Sequence, residues 1–369
     1  MSSDQLNIGT LTDEPHGEAI LNARKFNRHT FWCGQSGSGK TYALGVLLEQ
    51  LLAQTNLPIV IFDPNADFVR LNEPHPDAAP DEVNRIKDRR IEVLRPAAAE
   101  AATGPLRTRF TALPIHIKAA LLRIDPVIDR EEYNGMLHIE QLFNLNEPQN
   151  VRTQLDRSDD PIQRALGQRI ENLNLLDWEI WARDQRAATE VIATRPDLTV
   201  LDLGGFRYAE ESLVVALSVL DDLWVRREER RPVLLVIDEA HNLCSPDLET
   251  TLGRAVREQI IRIAAEGRKY GLWLLLSTQR PSKVHQGIIS QCDNLALMKM
   301  GSPSDLDELA SVFGFAPTAL LEQAPHFRQG QGLFAGGFMS APAVVQMRGR
   351  ITHEGGKDVA VPLRESSAP

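Results

Sequence analysis

The chain has 369 residues, 43% of them hydrophobic and 24% charged, and carries a net charge of -10. That length fits one large globular domain or two ordinary ones, and the acidic balance argues against a generally basic coat for nucleic acid while leaving room for a local basic pore or groove. Cys33, Cys244 and Cys292 are odd in number and lack metal-ligand spacing, so they read as reduced, buried thiols. "MSSDQLNIGT" has no basic start leading into an apolar core, and no run approaches the roughly 18 apolar residues of a membrane span. The expectation is a soluble, cytoplasmic protein.

Residues 1–29 are polar and too few for a domain, and read as an N-terminal arm or lead-in strand. Next comes "FWCGQSGSGKTYALG", two small-residue turns between a strand-like and a helix-like apolar run. Gly34, Gly39, Lys40 and Thr41 fit G-x-x-x-x-G-K-[ST]. In that pattern the loop from Gly34 through Gln35, Ser36, Gly37, Ser38 and Gly39 turns backbone N–H groups around phosphate oxygens. Lys40 then reaches the β and γ phosphates, the Thr41 hydroxyl holds Mg²⁺, and the helix from about Thr41 to Gln54 presents its positive end to the anion.

"LPIVIFD" is a continuous apolar run, the mark of a fully buried parallel strand. It ends at Asp63, which Pro64 follows, so Asp63 reads as a turn-forming or edge residue. From residue 72 to 196 the character changes: "NEPHPDAAPDE" leads into helical patterns such as "IKAALLRI" and "IQRALGQRIENLNLLDWEIWARD", and the segment reads as a mostly helical insertion. The strand pattern returns in "LTVLDLGG". A long helix follows, ending in the charged "RREERRP" that suits a solvated helix end, and then the strand "PVLLVIDEAHN".

Asp238 closes that strand and Glu239 follows it. A phosphate loop needs an acidic strand end for magnesium, so Asp238 is assigned to the metal and Glu239 to the attacking water. In "GRAVREQIIRIAAEG", Val256, Ile260, Ile263 and Ala264 share a helix face, and "YGLWLLLSTQRPS" is a further buried strand that places Gln279 where an amide senses a γ-phosphate. Alternating buried strands and helices mean an α/β protein with a mainly parallel sheet covered on both faces. The tail "GQGLFAGGFMSAPAVVQMRGRITHEGG" reads as paired strands running into a C-terminal strap at 341–369.

The set "GQSGSGKT", "LLVIDEAHNL", "AAEGRKYGLWLLLSTQRPSKV" and "RITHEGGKDVAVP" resembles the HerA-type ATPases of the HerA-FtsK superfamily, ring-forming P-loop motors on double-stranded DNA. The resemblance runs from about His29 to Pro362. It implies a RecA-like core made of residues 30–71 and 197–340, with ATP and Mg²⁺ as ligands and a homo-hexameric ring on duplex DNA. It also implies an arginine lent to the neighbouring subunit's ATP. Arg268 in "EGRKYG" matches that arginine, with Arg262 as a helper, and is expected on the same sheet edge as Gln279. His241 fits a coupling role better than a catalytic one.

Family members commonly carry an N-terminal β-barrel, for which the 33 residues before Gly34 leave no room. Three functions follow from the resemblance. The chain is a duplex-DNA translocase feeding a nuclease or defence effector, or an ATP-gated scaffold that assembles such an effector with little movement, or a secretion or conjugation ATPase, against which the lack of a membrane anchor counts.

Overall fold

Residues whose side chains are apolar on both faces of a strand can only be satisfied inside a sheet covered on both sides. The computed structural model, which describes residues 4–14, 17–96, 102–139, 153–183 and 185–356, is built around one. Its strands are β1 (Gln5–Leu11), β2 (Glu18–Asn22), β3 (His29–Cys33), β4 (Ile59–Asp63), β5 (Ile91–Arg95), β6 (Gly104–Pro105), β7 (Leu198–Asp202), β8 (Val233–Ile237), β9 (Leu272–Thr278), β10 (Cys292–Met298), β11 (Gln331–Gly336) and β12 (Ala343–Met347). They form a single sheet in the order β2-β1-β12-β11-β10-β3-β9-β8-β4-β7-β5-β6. From β10 to β6 every pairing is parallel, and from β10 outward through β11, β12, β1 and β2 every pairing is antiparallel.

Side chains alternate between two cores. Phe31, Val60, Phe62, Leu235 and Leu274 face one, and Trp32, Ile59, Ile61, Val236 and Leu275 face the other. Helix α1 (Lys40–Gln54) covers the second face with Leu44, Leu47 and Leu51. Each fully buried leucine contributes about 1.5–3 kcal/mol, which outweighs the roughly 1 kcal/mol that Gly45 costs in mid-helix. Gly45 has a reason to be there: a Cβ would lie 2.5 Å from the Arg350 guanidinium carbon. Arg350 is buried against α1 and pairs with Glu49, whose carboxylate also accepts the Ile351 and Thr352 N–H groups and the Thr352 hydroxyl. The C-terminal strap is thereby fastened along the phosphate-loop helix.

The first face is covered by α2 (Ile115–Leu122), α3 (Pro161–Asn172), α4 (Ala209–Val225) and α5 (Thr251–Glu266). All three cysteines are buried and free.

Several expectations change. The arm at 1–29 holds two strands: β1 pairs with β12 and with β2, so the lead-in extends the main sheet. The segment 72–196 is not helical throughout: β5 lies directly beside β7, carrying Val93 and Leu94 into the cores. Glu92 and Arg95 within that five-residue run, and the prolines and charges around it, obscured it. Helix α3 stops at Asn172, and Asn174 takes φ +52°, so the pattern that reads as helix through Asp184 turns away after three turns. Asp63 ends a central strand, between β8 and β7, not an edge strand. The parts of the arm, insertion and strap at 1–3, 15–16, 97–101, 140–152, 184 and 357–369 lie outside the described residues.

His29 begins β3 and ties two elements to it. Its Nδ1 accepts the Leu274 N–H at 2.9 Å and its Nε2–H donates to Ala264 O at 3.0 Å. Burial, opposed by the bond to Ala264, pushes its pKa down to about 4 from an ordinary 6.5. The folded state therefore binds this proton less readily than the unfolded state. The stabilisation is complete above pH ~6.5 and is lost as pH falls toward ~4. In urea titrations between pH 7.5 and 4.5, the unfolding midpoint of His29→Gln should fall less steeply with acidification than that of the parent.

Candidate active site

β3, β9, β8 and β4 are consecutive in the sheet, and their C-terminal ends carry every group that converges here. In open α/β sheets that edge, where connections leave in opposite directions, is where ligands bind. β3 leads into the phosphate loop, in which Gly37 and Gly39 take φ of +75° and +83°. At Gly39 a side chain would also press on Gly330 N, 3.1 Å from a Cβ.

The loop is held from outside. Gly34 N–H donates to Thr278 O, Gln35 N–H to Lys299 O, and Gly330 N–H to Ser38 O. The Gln35 side chain accepts the Gly301 N–H at 2.8 Å, so it braces the loop and is turned away from a ligand role. The N–H groups of Ser36, Gly37, Gly39, Lys40 and Thr41, by contrast, have no partner among the described residues. Unpaired donors at the start of a 15-residue helix are what a triphosphate requires, so the loop fits one. The Thr41 hydroxyl is half-buried and equally unpartnered among the described residues.

Lys40 is buried and turned inward. Its Nζ lies 3.1 Å from Asp238 Oδ1, 3.2 Å from Glu239 Oε1 and 2.8 Å from Ser277 Oγ. The Ser277 hydroxyl in turn donates to Asp238 Oδ1 at 2.6 Å. Burial opposes the lysine's charge, but Asp238 and Glu239 outweigh it and hold its pKa above the ordinary value. Asp238 Oδ2 is left buried without a hydrogen bond.

Glu239 follows β8 in a left-handed conformation, φ +43°, which costs a non-glycine residue about 1–3 kcal/mol. The strain aims its carboxylate at Lys40 and Gln279. Gln279 Nε2 donates to Oε1 at 2.7 Å. Oε2 is buried and lies 3.3 Å from His241 Nδ1 without hydrogen-bond geometry. Burial pushes the Glu239 carboxyl up, yet Lys40 and the Gln279 amide more than offset it, and the group sits below the usual carboxylate range. It is ionised at neutral pH and able to accept a proton. His241, bonded to Thr278 Oγ1 at 3.1 Å, is pushed down by burial against the pull of Glu239.

Asp63, at the end of β4, accepts the N–H groups of Asn65, Asp67 and Phe68, so its turn-forming role stands. One oxygen each of Asp63, Asp67 and Asp238 lie within 4.8 Å of one another. Burial pushes Asp63 up to about 8, and burial with the Asp238 charge takes Asp67 up to about 6.

Arg268 is not brought to this site within one protomer. It precedes β9 whereas Gln279 follows it, so the length of a seven-residue strand, roughly 20 Å, separates them. Its guanidinium is half-exposed and bonds to Asp293 at 3.1 Å. The expectation that Arg268 and Gln279 share a sheet edge is corrected: a parallel strand puts its two flanks at opposite edges. Arg262 lies over the Trp224 ring, 5.7 Å from its centre.

Ser277 and Asp67 were missed by sequence reasoning. Ser277 opens the hydroxyl pair that ends the otherwise apolar "LWLLLST", and Asp67 repeats an acid four residues after Asp63, so each left a signal.

A family model described as the central domain of helicase HerA matches residues 6–220, more than half of the chain. The chain belongs to the HerA helicase family. Among relatives of this HerA-family chain, the DNA double-strand break repair helicase HerA of Saccharolobus solfataricus is 25% identical, over 93% of this chain and 68% of its own length. That of Pyrococcus furiosus is 23% identical, over 97% and 74%. VirB4 of Thermoanaerobacter pseudethanolicus superposes with a TM-score of 0.61 at 14% identity, covering 94% of this chain and 97% of VirB4. The bacterial conjugative coupling protein TrwBΔN70 does so with 0.55 at 15% identity, covering 93% and 88%. These two show the fold, that of RecA-like P-loop ATPases. Family and fold make the HerA-family chain a P-loop ATPase. Among the described residues no helix is long and apolar enough to cross a membrane.

Proposed function

We propose that the chain hydrolyses ATP to translocate double-stranded DNA, as a subunit of a homo-hexameric ring that feeds or regulates a separate nuclease or defence effector. One observation carries the reading: Lys40, Asp238, Glu239 and Gln279 meet beside a loop whose N–H groups at Ser36, Gly37, Gly39, Lys40 and Thr41 have no partner among the described residues. Relatives named as DNA double-strand break repair helicases support duplex DNA as the track.

Within this reading each residue has a task. The loop from Gly34 to Gly39 cradles the phosphates and Lys40 turns outward onto the β and γ oxygens. Glu239 takes the proton of the attacking water while Gln279 fixes the carboxylate and reads the γ-phosphate. Thr41 and Asp238 would hold Mg²⁺, which supplies charge neutralisation on the phosphate oxygens. Arg268, exposed and remote from its own subunit's site, is assigned to a neighbour's triphosphate.

A duplex carrying a short triplex strand tests the reading. ATP should displace that strand, and duplex DNA should raise ATP turnover. DNA-independent turnover without displacement would favour the ATP-gated scaffold. No turnover at all would overturn both.

A further inference from the structure

On the reading that Arg268 serves the triphosphate of a neighbouring copy, the contact between copies brings the N-terminal end of β9 in one against the phosphate loop of the next. The charges that surround these two regions are opposite in sign.

Beside the loop lies α6 (Pro303–Val312). It begins shortly after Gly301, whose N–H is held by the Gln35 side chain. Burial together with the Asp305 charge pushes the Cys33 thiol up, which places the helix close to the strand end where the loop starts. From Met300 to Phe327 there are four acids, Asp305, Asp307, Glu308 and Glu322, and no lysine or arginine. Asp305 suits the positive end of its own helix. Glu308 takes only the Gln286 amide, and Asp307 and Glu322 are exposed with no partner among the described residues.

Around Arg268 the balance is reversed. Residues 262–269 hold Arg262, Arg268 and Lys269 against Glu266, and residues 226–231 hold four arginines against Glu228 and Glu229. The Arg227 guanidinium lies 4.6 Å from the centre of the Trp224 ring and 5.6 Å from that of Tyr270, so the two segments form one patch. Arg226, Arg227, Arg231 and Arg268 each have an acid of their own subunit within 4.0 Å. Arg230, Arg262 and Lys269 are exposed and have no acidic partner among the described residues. Lys269 is steadied on the Tyr270 ring and Arg262 on that of Trp224, which lowers the entropy lost when they meet an anion. In a chain of net charge -10, unpaired cations gathered on one edge mark a surface suited to an acidic partner.

We propose, resting on that reading of Arg268, that α6 of one copy docks on the patch formed by residues 226–231 and 262–269 of the next. This charge-matched contact sets Arg268 over the neighbour's phosphate loop, whose site is incomplete without it. Each copy offers both surfaces, so the contact runs head to tail, the arrangement that closes into rings. Exposed ion pairs are individually weak and screened by salt, so they steer and register the copies, and assembly becomes salt-dependent.

The test follows the mass of the full chain by light scattering over a range of concentrations, with Mg²⁺ and a non-hydrolysable ATP analogue present. Arg230→Glu with Lys269→Glu, and Asp307→Lys with Glu308→Lys, should each raise the concentration of half-assembly by about tenfold or more in dilute salt. The chain with all four reversals, whose charges match again, should assemble close to the parent. Neutral versions, Arg230→Gln with Lys269→Gln and Asp307→Asn with Glu308→Gln, should shift assembly the same way by less, and they carry the test if a reversal unfolds the chain. A reversal pair that assembles like the parent, or a fourfold variant no better than either pair, overturns the docking contact while the ring reading stands. If Arg230→Glu with Lys269→Glu spares assembly and instead abolishes stimulation of turnover by duplex DNA, the patch belongs to DNA phosphates and the contact is overturned too. A parent that stays monomeric throughout defeats the ring reading along with it.

Discussion

Lys40→Ala should reduce ATP turnover by at least about 10²- to 10³-fold and weaken nucleotide binding, because it removes the cation that the phosphate loop itself brings to the β and γ phosphates. The structure adds a second effect. Lys40 is buried with Asp238 and Glu239, and taking away one member of a buried ion pair costs about 3–5 kcal/mol. Without the ammonium that holds Glu239 below its ordinary value, burial pushes that carboxyl up. A folded-state pKa above the unfolded one means stability that is present at low pH and lost as pH rises. The variant's melting temperature should therefore fall further below the parent's at neutral pH than near pH ~4.3, the ordinary glutamate value. Turnover at the parent rate would remove the phosphate loop from the mechanism.

Glu239→Gln should produce a different defect. The amide retains a carbonyl oxygen for Gln279 and Lys40 but accepts no proton, so turnover should drop roughly 10²- to 10⁴-fold while ATP still binds and persists. Loss of binding along with turnover would make Glu239 a structural residue. The same variant probes Arg268. If Arg268 acts on a neighbour's ATP, mixing Arg268→Ala with Glu239→Gln subunits should restore activity, since some interfaces then hold an intact glutamate and an intact arginine. A mixture no more active than its parts, in rings confirmed by mass, would confine Arg268 to its pairing with Asp293.

The central strands were legible because β3, β4, β7 and β8 are buried at every position, so that β8 is apolar throughout, β4 is apolar up to Asp63, and β3 and β7 stay largely apolar despite His29, Thr30, Thr199 and Asp202. The phosphate loop was legible because its backbone demands glycine and its ligand demands Lys40 and Thr41. Asp67 was not, because its significance depends on which strand β4 adjoins, and register across a sheet is written in no local pattern. Ser277 was hidden for the same reason: its hydroxyl matters only because β9 lies beside β8. Arg268 was misplaced by reading nearness along the chain to Gln279 as nearness in space. β1 could be read only as a lead-in strand because polar residues break its run, and β5 escaped notice because Glu92 and Arg95 interrupt it and prolines and charges flank it.

β3 is synthesised long before either of its partners in the sheet: β9 begins at Leu272 and β10 at Cys292. At ribosomal speeds of about 5–20 residues per second, the strand that carries the phosphate loop waits on the order of 10 to 50 s for neighbours. Until then its apolar edges are open, and the loop after it lacks the Thr278 and Lys299 carbonyls that hold its shape. A nascent chain that has not yet reached Lys299 thus has neither a formed triphosphate cradle nor a finished sheet, and it becomes competent to bind nucleotide only after β9 and β10 have been made. Such a high-contact-order core also folds slowly, which makes this interval the one in which the chain is most exposed to aggregation and to chaperones.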